Sequence, residues 1–312
     1  MSDGLEEAGV SRDRRSRLKD AMEYVRERRA VQLAIVVGIP AAVLVVFFLV
    51  PLLSMLWLSF QDSLPPGSQF TLANYVRAFE PVYATVLWRT TVLTVQTTVV
   101  VTVLGYALAY SSVRFSKRTT LILLLVILPY WTNYIIRMYA WITILQNGGV
   151  LSSVLQLFEL VPGKVGYLYT PQAVLVGFSY IWLPLATLPF YASLANMDED
   201  LIEAAKDLGS GPIKTFFTVT LPTTIDGVIA GIILVAIPTF GSFITPALLG
   251  GSNVLMIGMV IESQFNEAFN WPFGSTLGVL VSLLVVAVML AAVRSGAGGR
   301  LFGASESGGE GE

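Results

Sequence analysis

The 312-residue chain contains no cysteine and no histidine. Without thiols it can form no disulfide, and without thiols or imidazoles it lacks the usual soft ligands of a zinc site. The same absences exclude catalysis by a cysteine nucleophile or a histidine base. A phosphate-cradling G-x-x-x-x-G-K-[ST] loop is missing as well, because Gly163-Lys164 has neither the upstream glycine nor the following hydroxyl. No metal, cofactor or nucleic-acid partner is therefore expected, and ATP, if it drives this chain, must bind elsewhere. Charge is also scarce. Asp, Glu, Lys and Arg make up 13% of the residues against 54% hydrophobic ones, and mean hydropathy is +0.71. That balance lies far outside soluble domains.

The hydrophobic residues fall into six runs long enough to cross about 30 Å of hydrocarbon, near 32–58, 88–111, 119–140, 172–196, 223–249 and 273–294. The first is too long for a signal-peptide core and reads as a retained span. Basic residues set the orientation. Eight of them, from Arg12 to Arg29, precede the first run; Arg114, Lys117 and Arg118 follow the second; Lys206 and Lys214 lie between the fourth and fifth; Arg294 and Arg300 follow the last. Only Arg77, Arg89, Arg137 and Lys164 fall on or near the other side. Both termini are expected in the cytoplasm of a multi-pass cell-membrane protein. Three regions follow: a basic segment 1–31, a six-span domain 32–294, and a Gly/Ser/Glu-rich tail 295–312 with the composition of disorder.

Between the fourth and fifth runs lies a polar, helix-compatible insert at 197–222. Asp198, Glu199 and Asp200 place carboxylates at a helix start, where they complement the macrodipole. Leu201, Ala204, Ala205 and Leu208 form a narrow stripe of small and aliphatic residues. Gly209 suits a left-handed C-terminal cap, and Gly211-Pro212 breaks the chain so that Pro212 can open a second helix. Ile213, Phe216 and Phe217 continue the apolar side. Two short helices displayed to the cytosol would make a knob for a socket in another protein.

The spacing Glu203-Ala204-Ala205, three residues, Gly209, nine residues, Val219, one residue, Leu221-Pro222 resembles the EAA loop of permease subunits in ABC importers. Val219 stands where that family usually has isoleucine. The stretch Pro129-Tyr130-Trp131-Thr132-Asn133-Tyr134-Ile135-Ile136-Arg137-Met138-Tyr139-Ala140-Trp141 is similar to spermidine/putrescine-type permeases, as are Leu248-Leu249-Gly250-Gly251 and Asn270-Trp271-Pro272-Phe273-Gly274. The resemblance covers about 85–293. It implies a type I importer bundle and a heterodimer with a second permease subunit. It also implies two ATPase subunits that close on ATP and an external solute-binding protein. The seven matched loop residues would couple ATPase closure to rocking of the bundle. Sister importers of other small solutes share much of the pattern.

Five further residues mark a tentative pathway. Arg137 near the outer end of the third run is either a snorkelling anchor or a gate. Asp226 stands at the cytoplasmic edge of the fifth run, as a helix-end group or a lining residue. Glu262, Glu267 and Trp271 are placed in an outer loop before the sixth run, facing water or capturing a cation through carboxylates and an aromatic face. No Lys or Arg occurs between Lys214 and Arg294, so this whole segment is anionic. Prolines interrupt most runs, and Gly227, Ala230, Gly231, Ala236 and Gly241 permit close helix approach in the fifth. The reading is an all-α permease subunit. A secondary transporter or channel would show inverted repeats or paired intramembrane charges, and neither is evident. Cysteines introduced singly at Ser116, Ser210 and Ser305 should be shielded from an impermeant thiol reagent in intact cells, whereas those at Ser68, Ser152 and Ser252 should react. Labelling of Ser210→Cys from outside overturns the orientation.

Overall fold

The computed structural model describes residues 36–38, 40–63, 69–115, 118–160 and 162–292. The segments 1–31 and 295–312 set apart above lie outside these. Regular structure among the described residues is helical, apart from an isolated bridge between Gln61 and Phe70. The chain divides into two compact units, up to Leu58 and from Ser59 onward. The first contains one described helix, α1 (Val36–Leu58), apolar throughout and widened into a π-turn at Val45–Leu49.

The second unit holds the bundle. After a short α2 (Ala73–Ala78), the long helix α3 runs from Pro81 to Arg114. It is followed by α4 (Thr119–Trp131), α5 (Tyr134–Leu145), α6 (Val150–Leu157) and α7 (Pro171–Ala195). The 197–222 insert forms α8 (Asp200–Asp207) and α9 (Pro212–Thr223). Then come α10 (Ile225–Phe240), α11 (Pro246–Asn253), α12 (Ile257–Asn266) and α13 (Trp271–Ala292).

Four of these, α1, α3, α7 and α13, are long and apolar enough to cross a membrane. The other apolar stretches are bent pairs: α4 turns by 95° into α5–α6, α9 by 69° into α10, and α11 by 93° into α12. Hydropathy had read 119–140 as one span, but the helix stops at Trp131. Pro129 lacks an amide proton and sits in a tight 3₁₀ turn at Leu128–Trp131, and Asn133 restarts the chain by accepting a hydrogen bond from the Ile135 amide at 2.8 Å. The expected run 223–249 likewise ends at Phe240, just past Pro238, and its last residues belong to α11. The second run begins at Pro81, seven residues earlier than its apolar core suggested.

Packing centres on α3, α7 and α10. Phe190, Ala186 and Leu194 of α7 meet Val101, Tyr106 and Ala109 of α3 and Val228 and Val235 of α10 in one buried cluster. Glycines set the distance. A Cβ on Gly231 would come 2.2 Å from the Phe190 ring, and one on Gly227 would come 2.3 Å from Ser193 Cβ and 2.7 Å from the Pro189 carbonyl. Gly105 of α3 lies against Thr187 and Phe190 at 3.2 Å. A second cluster joins Leu93, Met138 and Leu145 to Val174, Phe178 and Ile181 of α7 and to Leu249 and Met256. Of the small residues marked in α10, Gly227 and Gly231 make the crossing, whereas Gly241 faces open space.

Where helices break, side chains and neighbouring backbone take over the freed polar groups, as an apolar medium requires. The Ile257 amide at the start of α12 donates to buried Thr90 Oγ1 at 2.9 Å, and the Tyr169 amide donates to the Leu249 carbonyl at 2.8 Å. Ser152 is almost fully buried and accepts a bond from the Val165 amide, which makes it a poor labelling site; Ser252 is exposed, and Ser68 lies outside the described residues.

Gly231→Ala should destabilise the fold by about 1–3 kcal/mol, because the Phe190 ring has no room to retreat. Gly241→Ala should be close to neutral. Thermal unfolding of the detergent-solubilised protein distinguishes them, and equal melting temperatures would show that the crossing tolerates a methyl group.

Candidate functional site

The 197–222 insert is the most defined polar feature of the chain. The Asp198 carboxylate accepts a hydrogen bond from the Asp200 amide at 3.0 Å and opens α8. At the other end Gly209 adopts φ +76°. Its amide donates to the Lys206 carbonyl at 2.8 Å, and the Ser210 amide donates to the Ala205 carbonyl at 3.0 Å. This pair of bonds is a Schellman motif, which satisfies the last helical carbonyls and requires a left-handed residue. Gly211 then turns the chain, and Pro212 occupies the first turn of α9, where its missing amide costs nothing.

Exposure sorts the matched loop residues into two groups. Glu203, Ala204, Gly209 and Pro222 are exposed. Ala205 is not: it turns inward with Ile202, both under 9% exposed. The stripe read from spacing is therefore split, and Ala205 turns to the inner side of the loop. Val219 and Leu221 are half-buried, and Leu221 joins the α3–α7–α10 cluster. An exposed apolar patch takes over the outer face, with Leu208 at 87%, Ile213 at 75%, Phe217 at 61% and Leu201 at 45% exposure. Adjacent phenylalanines separate here, Phe217 outward and Phe216 inward. Sequence periodicity missed this because the segment Phe216–Thr220 is a π-turn, which shifts the register of facing residues.

Arg114 at the end of α3 lies 3.5 Å from Glu199 across a surface ion pair, a contact of small energetic weight. Between them and α9 opens a cleft of about 510 Å³, lined by Tyr110, Lys206, Ser210 and Phe216 among others.

The five pathway candidates do not form one site. Asp226 sits in the first turn of α10, with one carboxylate oxygen sealed from solvent and without a hydrogen-bond partner among the described residues. It borders a cleft of about 630 Å³ shared with Ser193, Asn196, Asp198 and Thr223. Among the described residues no basic one lines that cleft. Glu262 lies in α12, which follows the opposite end of α10: a Cβ on Gly258, one turn earlier, would touch the Ser242 carbonyl. Asp226 and Glu262 thus belong to opposite ends of α10, which is about 24 Å long at 1.5 Å per residue. The expected outer loop is also helical. Glu262 is partly buried and accepts a bond from Asn266 at 3.0 Å, Glu267 is the exposed cap residue, and Trp271 is 46% exposed, edge-on to Phe265.

Arg137 is 8% exposed in the first turn of α5. Its guanidinium lies over the Tyr130 ring at 5.1 Å, and Nε and Nη1 have no acceptor among the described residues. A snorkelling side chain keeps its head in water. This one is enclosed by protein, beside the hydrogen bond between Tyr134 and Thr245 that ties α5 to α11.

Residues 31–295 match the family model described as the binding-protein-dependent transport system inner membrane component. The spermidine/putrescine transport system permease protein PotB of Haemophilus influenzae is 36% identical over 267 residues, covering 84% of this chain and 93% of that protein. PotB of Escherichia coli is 35% identical over 251 residues, covering 79% and 91%. Among solved structures, a bacterial ABC transporter that imports the acidic polysaccharide alginate superimposes with a TM-score of 0.68 at 14% identity, over 89% of this chain and 98% of that one. The same kind of transporter bound to its alginate-loaded periplasmic protein gives 0.71 at 14% identity, over 86% and 94%.

A Gly209→Val change forces a β-branched residue into the left-handed region and should open both Schellman bonds. Amide exchange at positions 209 and 210 should then accelerate about tenfold, with Gly209→Asn close to wild type. Unchanged exchange in the valine variant would mean that the left-handed cap is not needed.

Proposed function

This chain belongs to the family of inner membrane components of binding-protein-dependent transport systems, and we propose that it forms half of the translocation pathway of an ATP-driven polyamine importer. In this reading it crosses the membrane six times with both termini in the cytoplasm. It pairs with a second permease subunit, meets two ATPase subunits through α8 and α9, and receives solute from an external binding protein.

The observation that carries the coupling role is the rigid, capped α8 turn. It holds Ala204 and Gly209 outward beside an exposed apolar patch at Leu201, Leu208, Ile213 and Phe217. Small residues let a partner backbone approach closely, and the aliphatic and aromatic side chains supply buried area on contact. Glu203 offers a rim carboxylate to a basic group there. Closure of the ATPases would push on this knob.

The polyamine assignment rests on the relatives' substrate and on charge. Between Lys214 and Arg294 the chain presents only carboxylates, with Asp226 unpaired beside its cleft and Glu262 and Trp271 at the far end of α10. A solute with several ammonium groups gains about 0.5–2 kcal/mol from each carboxylate or ring it meets, so successive weak contacts suit passage better than one tight site. A second reading, an importer of another small solute, is favoured by the YdcU permease protein of Escherichia coli. That protein is 32% identical over 260 residues, and its name carries no substrate.

In the reconstituted transporter, spermidine and putrescine should stimulate ATP hydrolysis and be taken up, whereas a neutral sugar and an anionic solute should not. Glu262→Gln and Trp271→Ala should each lower uptake about two- to tenfold while basal hydrolysis holds. Stimulation by the anion or the sugar and not by polyamines would replace the polyamine assignment with the second reading.

A further inference from the structure

Behind the coupling loop lies a set of contacts that neither the family pattern nor the pathway candidates include. The axis turns by 69° between α9 and α10, and the residue at the turn is Thr224, fully buried. A sharp turn of buried backbone stays in place only if its polar groups are held. Thr224 is held by four elements. Its hydroxyl donates to the Thr220 carbonyl at 2.8 Å, inside the π-turn of α9. The same oxygen lies 2.7 Å from the Tyr106 hydroxyl of α3. Either hydroxyl can donate in that pair. The Thr224 carbonyl accepts from the Val228 amide at 3.2 Å and from Ser193 Oγ of α7, also at 3.2 Å. One residue thus ties the loop helix to all three helices of the central crossing.

Aromatic rings reinforce the same junction. Phe216, at the start of the π-turn, meets Tyr106 at 6.0 Å and Tyr110 at 5.4 Å between centroids, edge-on at 77° and 88°. Tyr106 in turn meets Phe190 of α7 at 5.9 Å. Edge-to-face pairs resist both sliding and separation, because tilting either ring loses the favourable quadrupole contact. Alongside them the 510 Å³ cleft leaves space between the loop and the end of α3. The contacts of α9 with α3 given above thus run through Phe216 and Thr224.

We infer that Tyr106, Phe216 and Thr224 are the positioning residues that carry displacement of the 200–223 loop into the bundle. Tyr106 and Thr224 are buried and Phe216 is half-buried. Their task is to keep the loop, α3 and α10 moving as one body, so that work done by the ATPases becomes movement of the pathway. The inference rests on the reading of this chain as an importer subunit.

The test uses the complete transporter in proteoliposomes, with spermidine as the probe and its uptake measured per ATP hydrolysed. Tyr106→Phe keeps the ring packing and leaves the Thr224 hydroxyl bonded to Thr220, so the fold should survive. Uptake per ATP should fall about fivefold in Tyr106→Phe and Thr224→Val, with the hydrolysis rate within about twofold of the unmodified protein. Thr224→Ser keeps an accepting hydroxyl and should retain coupling. Phe216→Leu tests the ring contacts independently of the hydrogen bond and should also separate hydrolysis from uptake. Coupling that persists in Tyr106→Phe, Thr224→Val and Phe216→Leu overturns the relay while leaving the importer reading intact. Hydrolysis and uptake that fall together, with Thr224→Ser no better than Thr224→Val, reduce these residues to structural ones and overturn it equally. If the unmodified transporter neither hydrolyses ATP in response to spermidine nor takes it up, the polyamine importer reading fails, and the relay falls with it.

Discussion

The crossing of α3, α7 and α10 sets the distance at which every other part of the bundle must pack. Gly227 and Gly231 bring α10 into direct contact with the backbone and rings of α7, and Gly105 does the same from α3. In an apolar medium helices gain nothing from hiding greasy side chains from one another, so association depends on close packing and on polar contacts between helices. Glycine provides the first. Hydroxyls provide the second: Ser193 Oγ of α7 donates to the Thr224 carbonyl, Tyr106 of α3 bonds the Thr224 hydroxyl, Tyr134 of α5 bonds Thr245, and Thr90 of α3 accepts the first amide of α12.

That need for internal partners also explains how the bundle tolerates its breaks. Pro184 and Pro189 free carbonyls within α7, and Pro238 frees one near the end of α10. At the sharper turns the solution is local. Asn133 caps α5, Thr90 receives the first amide of α12, and Thr224 holds the turn between α9 and α10. The last of these lies directly behind the loop proposed to carry the coupling role. The site is therefore built by the constraint that shapes the fold, applied where the chain must bend.

Electrostatics gives the pathway candidates separate characters. Asp226 is a partly enclosed carboxylate beside a cleft that no described basic residue lines, and Glu262 belongs to the opposite end of α10. Arg137 is enclosed by protein with two unpaired donors and an aromatic ring beneath it. Burying an unpaired guanidinium is costly, and the Tyr130 ring offsets only part of that cost.

Much of the architecture was legible before any coordinates. Composition alone placed the chain in a membrane and removed thiol, imidazole and P-loop chemistry from consideration. Spacing located the loop, its acidic start, the glycine that takes the left-handed cap and the proline that opens the next helix, because capping depends on neighbours within one turn. Hydropathy could not reveal that 119–140 bends at Thr132–Asn133 or that the chain after Phe240 turns twice, since a bent pair and a straight span have the same apolar composition. Nor could periodicity separate Phe216 from Phe217, because a π-turn changes which residues share a face, or tell which side of α8 would turn inward with Ala205 and Ile202. The pairing of Tyr106 with Thr224 joins positions 118 residues apart, and the isolation of Asp226 from Glu262 depends on how α10 is laid across the bundle. Local signals determined what each segment is. Only tertiary structure decided which segments meet, because contact across such distances follows from packing and from the demand that every enclosed polar group find a partner.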